Sequence, residues 1–138
     1  IQAMDLVGRK LGDDGNTAKR LIQEIIDAEH LVTDQESDLV SKVSFARKNL
    51  TETLHWMLSQ KCINERYAGS GSFLKAFALV LGSKYMLQTL KVTNCKVRHN
   101  WANYYINNIL PFANIEATLA RMGSTSLYKE FEPKVTDL

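Results

Sequence analysis

The chain has 138 residues, 45% hydrophobic and 23% charged, with a formal net charge of +2. That length suits one domain with its own core and no metal or disulfide staples, and the composition excludes a disordered chain. The sequence carries no signal peptide and no apolar run of membrane-spanning length, which predicts a soluble protein.

The charge is unevenly spread. Residues 1–60 hold seven Lys or Arg against ten Asp or Glu, whereas residues 61–138 hold ten against five. No acidic residue lies between Glu65 and Glu116, while Arg66, Lys75, Lys84, Lys91, Lys96 and Arg98 all fall there, so that segment predicts a basic surface. Cys62 and Cys95 form no CxxC pair and predict reduced thiols of an intracellular protein.

Taken in chain order, the apolar periodicity predicts helices and no strand. A first helix fits residues 2–11, with Met4, Leu6, Val7 and Leu11 at helical spacing and a Gly12-to-Asn16 breaker after it. A second starts where Asn16 or Thr17 caps free amides, and carries Leu21, Ile22, Ile25 and Ile26. Thr33 and Glu36 have capping-box spacing and open a third helix through Leu39, Val43 and Ala46. Asn49 and Glu52 repeat that spacing, which predicts a separate fourth helix at about 50–63. Gly69-Ser70-Gly71-Ser72 then breaks the chain and caps a fifth helix, apolar on nearly every side: Phe73, Phe77, Val80, Leu81 and Tyr85 on one face, Leu74, Ala78, Met86 and Leu90 around the rest. Such a helix must be surrounded by others. A sixth runs from Thr93-Asn94 to Leu110 with Val97, Trp101, Tyr105 and Ile109 in register, stopped by Pro111. A short last one spans about 114–122, with Gly123 at its end. The fold class expected is all-α, a bundle of six to seven helices around a buried central hydrophobic helix, in a single domain over 1–138.

Several short motifs, in order, resemble the B-cell lymphoma two (Bcl) family of apoptosis regulators. Asp5 to Gly15, "DLVGRKLGDDG", is similar to the family's fourth homology motif. Ile22 to Glu29, "IQEIIDAE", resembles the third, with Ile22, Ile25 and Asp27 matching and Ile26 standing where the family has Gly or Ala. Ser37 to Val43, "SDLVSKV", resembles the short helix that walls the family's groove. Ser72-Phe73-Leu74-Lys75 stands at the first motif's Asn-Trp-Gly-Arg tetrad and keeps only its aromatic and basic character. Thr118 to Tyr128 resembles a worn second motif without its tryptophans. Departures of this kind are those of a diverged, viral member.

The resemblance implies a Bcl-like fold and a pro-survival apoptosis regulator that sequesters amphipathic helices of pro-apoptotic proteins in a surface groove, reading apolar residues at i, i+3 or i+4, and i+7. It implies groove residues Leu39, Val43, Leu54, Met57, Leu58, Phe73, Lys75 and Ala78, with Lys75 in place of the family's arginine. Lysine lacks the planar fork for a two-bonded carboxylate contact, so a weaker ionic anchor is expected. The same apolar residues fit a plain core role, and spacing alone leaves both open. A cytoplasmic location at the mitochondrial outer membrane is implied, with the membrane surface and a second copy of the chain as further partners. No cofactor, metal or catalytic residue is expected: the three histidines lack ligand spacing, "GSGS" lacks the Lys-Ser/Thr of a phosphate loop, and no nucleophile stands beside a base. The competing readings are a pro-apoptotic membrane-permeabilising relative, a viral protein of the same fold that blocks inflammatory signalling through another face, and a helical adaptor or nucleic-acid-binding domain. The last rests on Lys84, Lys91 and Arg98 at seven-residue intervals, with Trp101, Tyr104 and Tyr105 nearby.

Overall fold

A computed structural model describes residues 1–32, 36–92, 95–124 and 127. The described residues form an all-helical bundle. Helix α1 (Gln2–Asp5) runs into a π-helical turn, Leu6–Lys10; α2 is Asn16–Glu29, α3 Ser37–Ser59 and α4 Ile63–Val92. Helix α5 (Lys96–Tyr104) runs into a second π-helical turn, Tyr105–Ile109, and α6 is Phe112–Ala120. Thr33, the Thr93-Asn94 boundary and the end of the last sequence motif lie outside the described residues.

The turn between α1 and α2 explains where α2 begins. Asp14 and Gly15 both have positive φ, 58° and 71°, which reverses the chain. The expected caps, Asn16 and Thr17, are replaced by Asp13: its carboxylate accepts the Thr17 amide at 2.8 Å and the Thr17 hydroxyl at 2.7 Å. Those hydrogen bonds, the hydroxyl one foremost, hold the Asp13 carboxyl below its ordinary pKa.

Two predicted helix breaks do not occur. Helix α3 runs unbroken through Asn49 because that side chain reaches across to α6, donating to Asn114 Oδ1 at 2.7 Å instead of capping its own helix. Thr53 back-bonds to the Asn49 carbonyl at 2.8 Å, and Ala46, Leu50, Thr53 and Leu54 around this point are buried. Helix α4 likewise runs through Gly69-Ser70-Gly71-Ser72. Small residues here are a packing device: a Cβ on Gly69 would lie 2.1 Å from the Ala120 carbonyl oxygen, so only glycine lets α4 approach α6 so closely. Ser70 and Ser83 donate to the carbonyls three residues back, at 2.8 and 2.6 Å, so their hydroxyls are satisfied inside the bundle. Tertiary packing overrides the helix propensity of the glycine run.

Helix α4 packs against α1, α2, α3, α5 and α6. It buries Phe73, Ala76, Phe77, Val80, Leu87 and Leu90, with Phe73 and Phe77 edge to face at 5.9 Å. Burial of these large side chains gains roughly 10 kcal/mol before entropy is subtracted. Tyr85 departs from the expectation and is 53% exposed, with the Lys84 ammonium 5.0 Å from its ring centroid. The register expected for α5 is also revised. Val97 and Trp101 point outward, and Ala102, Ile106 and Leu110, one residue further along than the expected set, form the inner face.

The chain closes at the end of α6. Gly123 takes a positive φ of 68°, as predicted, and Ser124 then donates its amide (2.7 Å) and hydroxyl (2.6 Å) to the Glu65 carboxylate. The hydroxyl bond, with the amide bond second, lowers the Glu65 pKa. A depressed folded-state pKa contributes stability above the ordinary glutamate range that is lost as pH falls through the lowered folded value. Ser124→Ala is therefore expected to flatten the acid limb of a stability-versus-pH series measured by denaturant unfolding. A second series separates the glycines. Gly71 has open space where a Cβ would go, so Gly71→Ala should stabilise by roughly 0.5–1 kcal/mol, whereas Gly69→Ala should cost about 1–3 kcal/mol.

Candidate functional site

The residues implied for the groove are not gathered on one open surface. Leu39, at 5% exposure, and Val43, Leu54, Met57 and Phe73, at 0%, are core, where α3 packs on α4 and α6. Leu58 is half-buried and fills the space beside Gly15, where a Cβ would meet its Cδ1 at 2.9 Å. Lys75 is exposed and its ammonium reaches Glu116 Oε1 at 3.4 Å. Ala78 alone of the set lies exposed at the edge of an open apolar groove. A groove lined by the first five would require α3 to part from α4.

The open α1–α2–α4 groove, formed on its α1 side by the π-helical turn that continues that helix and by Leu11, encloses about 330 Å³. Its walls are Leu6 and Leu11, Leu21, and Leu74, Phe77 and Leu81, with Ala18 and Ala78 between them. Lys10 and Thr17 stand at the rim, and Lys10 is exposed and makes no hydrogen bond or salt bridge among the described residues, its charge acting only through space on Asp5. A second cleft of about 310 Å³ lies between α3 and the α5–α6 junction, lined by Ser41, Lys42, Phe45, Asn107, Leu110 and Pro111 among others. Its cation is already engaged: Lys42 contacts Asp38 and donates to Asn107 Oδ1 at 2.7 Å. The apolar groove with an exposed cation is the better receptor for apolar anchors beside a carboxylate.

The basic stretch is less free than its sequence suggests. Arg66 donates to the Leu58 and Gln60 carbonyls at the end of α3, Lys75 meets Glu116, and Lys84 meets Glu24 Oε2 at 2.5 Å with its side chain only 13% exposed. The Glu24 hydrogen bond raises the Lys84 pKa. The row Lys84–Lys91–Arg98 thus loses its first member, and the exposed cations are Lys91, Lys96 and Arg98.

Sequence reasoning missed the main buried ion pair. Arg47 on α3 donates through Nε (2.7 Å) and Nη2 (3.1 Å) to the two Glu29 oxygens, with side chains 14% and 7% exposed. Eighteen residues separate the partners, so no local spacing could have announced it. Cys62 and Cys95 are free thiols, both exposed. Among the described residues no cluster of three or more His, Cys, Asp or Glu could hold a metal ion.

No family model matches the chain, and no curated protein or solved structure matches it either.

The Arg47–Glu29 pair staples α2 to α3. Removing one partner strands a buried charge, so Arg47→Met is expected to cost about 3–5 kcal/mol, and Arg47→Met with Glu29→Leu to recover much of it. Denaturant unfolding of the two variants measures both.

Proposed function

We propose that this chain is a helix-capturing regulator with a Bcl-like fold, of the pro-survival kind, and that it takes its partner in the α1–α2–α4 groove. The observation that carries the reading is that groove: an open apolar trough beside the α2 segment that resembles the third homology motif, with the exposed Lys10 at its rim. About 330 Å³ accepts a few aliphatic side chains and not a whole helix, which is what helix-in-groove docking asks for. The anchors of an amphipathic helix at i, i+3 or i+4, and i+7 enter between Leu6, Leu21, Leu74 and Leu81, while its backbone stays outside. Lys10 would meet the ligand's conserved-type aspartate, a role that the sequence resemblance gave to Lys75. Lys75 already has Glu116 as a partner and stands outside the residues lining the groove. The apoptotic assignment and the mitochondrial setting rest on the motif resemblance.

One observation favours a second reading, in which a Bcl-fold protein blocks inflammatory signalling through another face. Leu39, Val43, Leu54, Met57 and Phe73, which the resemblance implies for the family's groove, are buried, which favours recognition through another face.

Calorimetric titration with peptides carrying the third homology motif separates the readings. Binding is expected for at least one peptide, abolished by Ala78→Trp, which fills the trough from an exposed position, weakened on the order of tenfold by Lys10→Glu, and unchanged by Lys75→Ala. Binding lost with Lys75→Ala and kept with Ala78→Trp would place the ligand elsewhere, and no binding to any peptide would reject helix capture.

A further inference from the structure

Helices α5 and α6 expose more large apolar surface than a scatter of single residues. Val97 (54% exposed), Trp101 (65%) and Tyr104 (63%) lie at i, i+4 and i+7 on α5. Phe112 (58%), Ile115 (56%), Leu119 (45%) and Met122 (68%) lie at i, i+3, i+7 and i+10 along and just beyond α6. Each set is one stripe of a helix. The step from Tyr104 to Phe112 is eight residues, one more than the heptad step that keeps a stripe in phase. The π-helical turn Tyr105–Ile109 lies in that interval, and a π turn takes up one extra residue. The backbone stays right-handed helical through Leu110 and Pro111, so the stripe on α5 continues onto α6 with its phase restored. Ala102, Ile106, Leu110, Ala113, Ala117 and Ala120 face inward along the same path.

On α5 itself, Lys96 and Arg98 flank Val97 and precede Trp101, and both are exposed. The carboxylate recorded against α5 is Glu36, 3.4 Å from His99, and His99 is two residues from both Val97 and Trp101, hence on the far side of the helix. Glu116 on α6 is turned to Lys75. Among the described residues, a second copy docked through the same stripe would bring like charges together, with no carboxylate of α5 or α6 free to receive them. Trp, Tyr and Phe with Lys and Arg beside them match the boundary between lipid headgroups and acyl chains. Among the described residues no helix is long and apolar enough to cross a membrane, so attachment would be at the surface.

We propose that the α5–α6 stripe docks this protein in the plane of an anionic lipid bilayer, Trp101, Tyr104, Phe112 and Ile115 entering the headgroup layer and Lys96 and Arg98 meeting lipid phosphates and carboxylates. The site lies on different helices from the α1–α2–α4 groove and does not depend on helix capture.

Co-sedimentation of the full chain with phosphatidylcholine vesicles and with vesicles also containing phosphatidylserine tests this. Two cations near an anionic surface predict affinity for the second on the order of thirtyfold higher, falling with salt. Trp101→Glu with Ile115→Glu, and separately Lys96→Glu with Arg98→Glu, should abolish it in proteins whose circular dichroism is unchanged, since all four positions are exposed. In a Trp56→Phe background, brominated lipid should quench Trp101, the second of the chain's two tryptophans. Ala78→Trp should keep vesicle binding. No association with anionic vesicles, or association that survives both stripe and cation variants, would overturn the proposal. So would a lipid-free dimer, seen by sedimentation velocity, that Trp101→Glu splits, because the stripe would then belong to a second copy.

Discussion

At Gly69 helices α4 and α6 approach so closely that the Ala120 carbonyl occupies the space that a side chain at position 69 would need. Much else follows from that contact. Ala113, Ala117 and Ala120 can all be buried on one side of α6 because the helices meet almost backbone to backbone. Thr53 of α3 reaches the Ala117 carbonyl at 3.4 Å, so the third helix is drawn into the same junction. Glu65, one turn into α4, then receives Ser124 and fixes the exit of the chain. Small residues give no transfer energy of their own. They leave room for Met57, whose Cε lies 2.9 Å from where a Cβ on Gly69 would stand.

Sealing α4 against α3 and α6 has a consequence for recognition. The apolar side chains between these helices are spent on stability, and an external ligand could reach them only by prising the helices apart. Accessible apolar surface appears instead in the α1–α2–α4 groove and where α5 and α6 turn their outer stripes to solvent. The charges are divided the same way. Arg47, Arg66 and Lys84 hold helices together, while Lys10, Lys96 and Arg98 stay at the surface beside apolar groups.

The all-helical class was legible because apolar residues recurring at helical spacing have one physical solution, and the segment most apolar in sequence became α4, which packs against α1, α2, α3, α5 and α6. The turn at Gly12–Asn16 and the end at Gly123 were legible because positive φ selects glycine, which both positions use. The helix breaks at Asn49 and Gly69 were misread for a single reason: a capping residue or a glycine reports local preference, and both are here recruited by a partner helix far along the chain. The face of α5 was misread because the large Val97 and Trp101 suggest a core stripe, whereas the side that packs inward carries the small Ala102 with Ile106 and Leu110. Of the candidate site, residue type was visible and exposure was not. Leu39 and Val43 satisfy the spacing of a groove wall and of a core equally, and only Ala78 proved to lie at an open groove.

Amide hydrogen exchange across residues 66–76 tests most directly whether α4 is one continuous helix locked against α6 at Gly69. The account predicts that the amides of Gly69, Ser70, Gly71 and Ser72 exchange as slowly as those of Phe73 to Phe77, opening only with global unfolding. Exchange of those four at loop-like rates, with protection beginning only after Ser72, would restore the break that the glycine run suggests and would contradict the packing on which the rest of the fold depends.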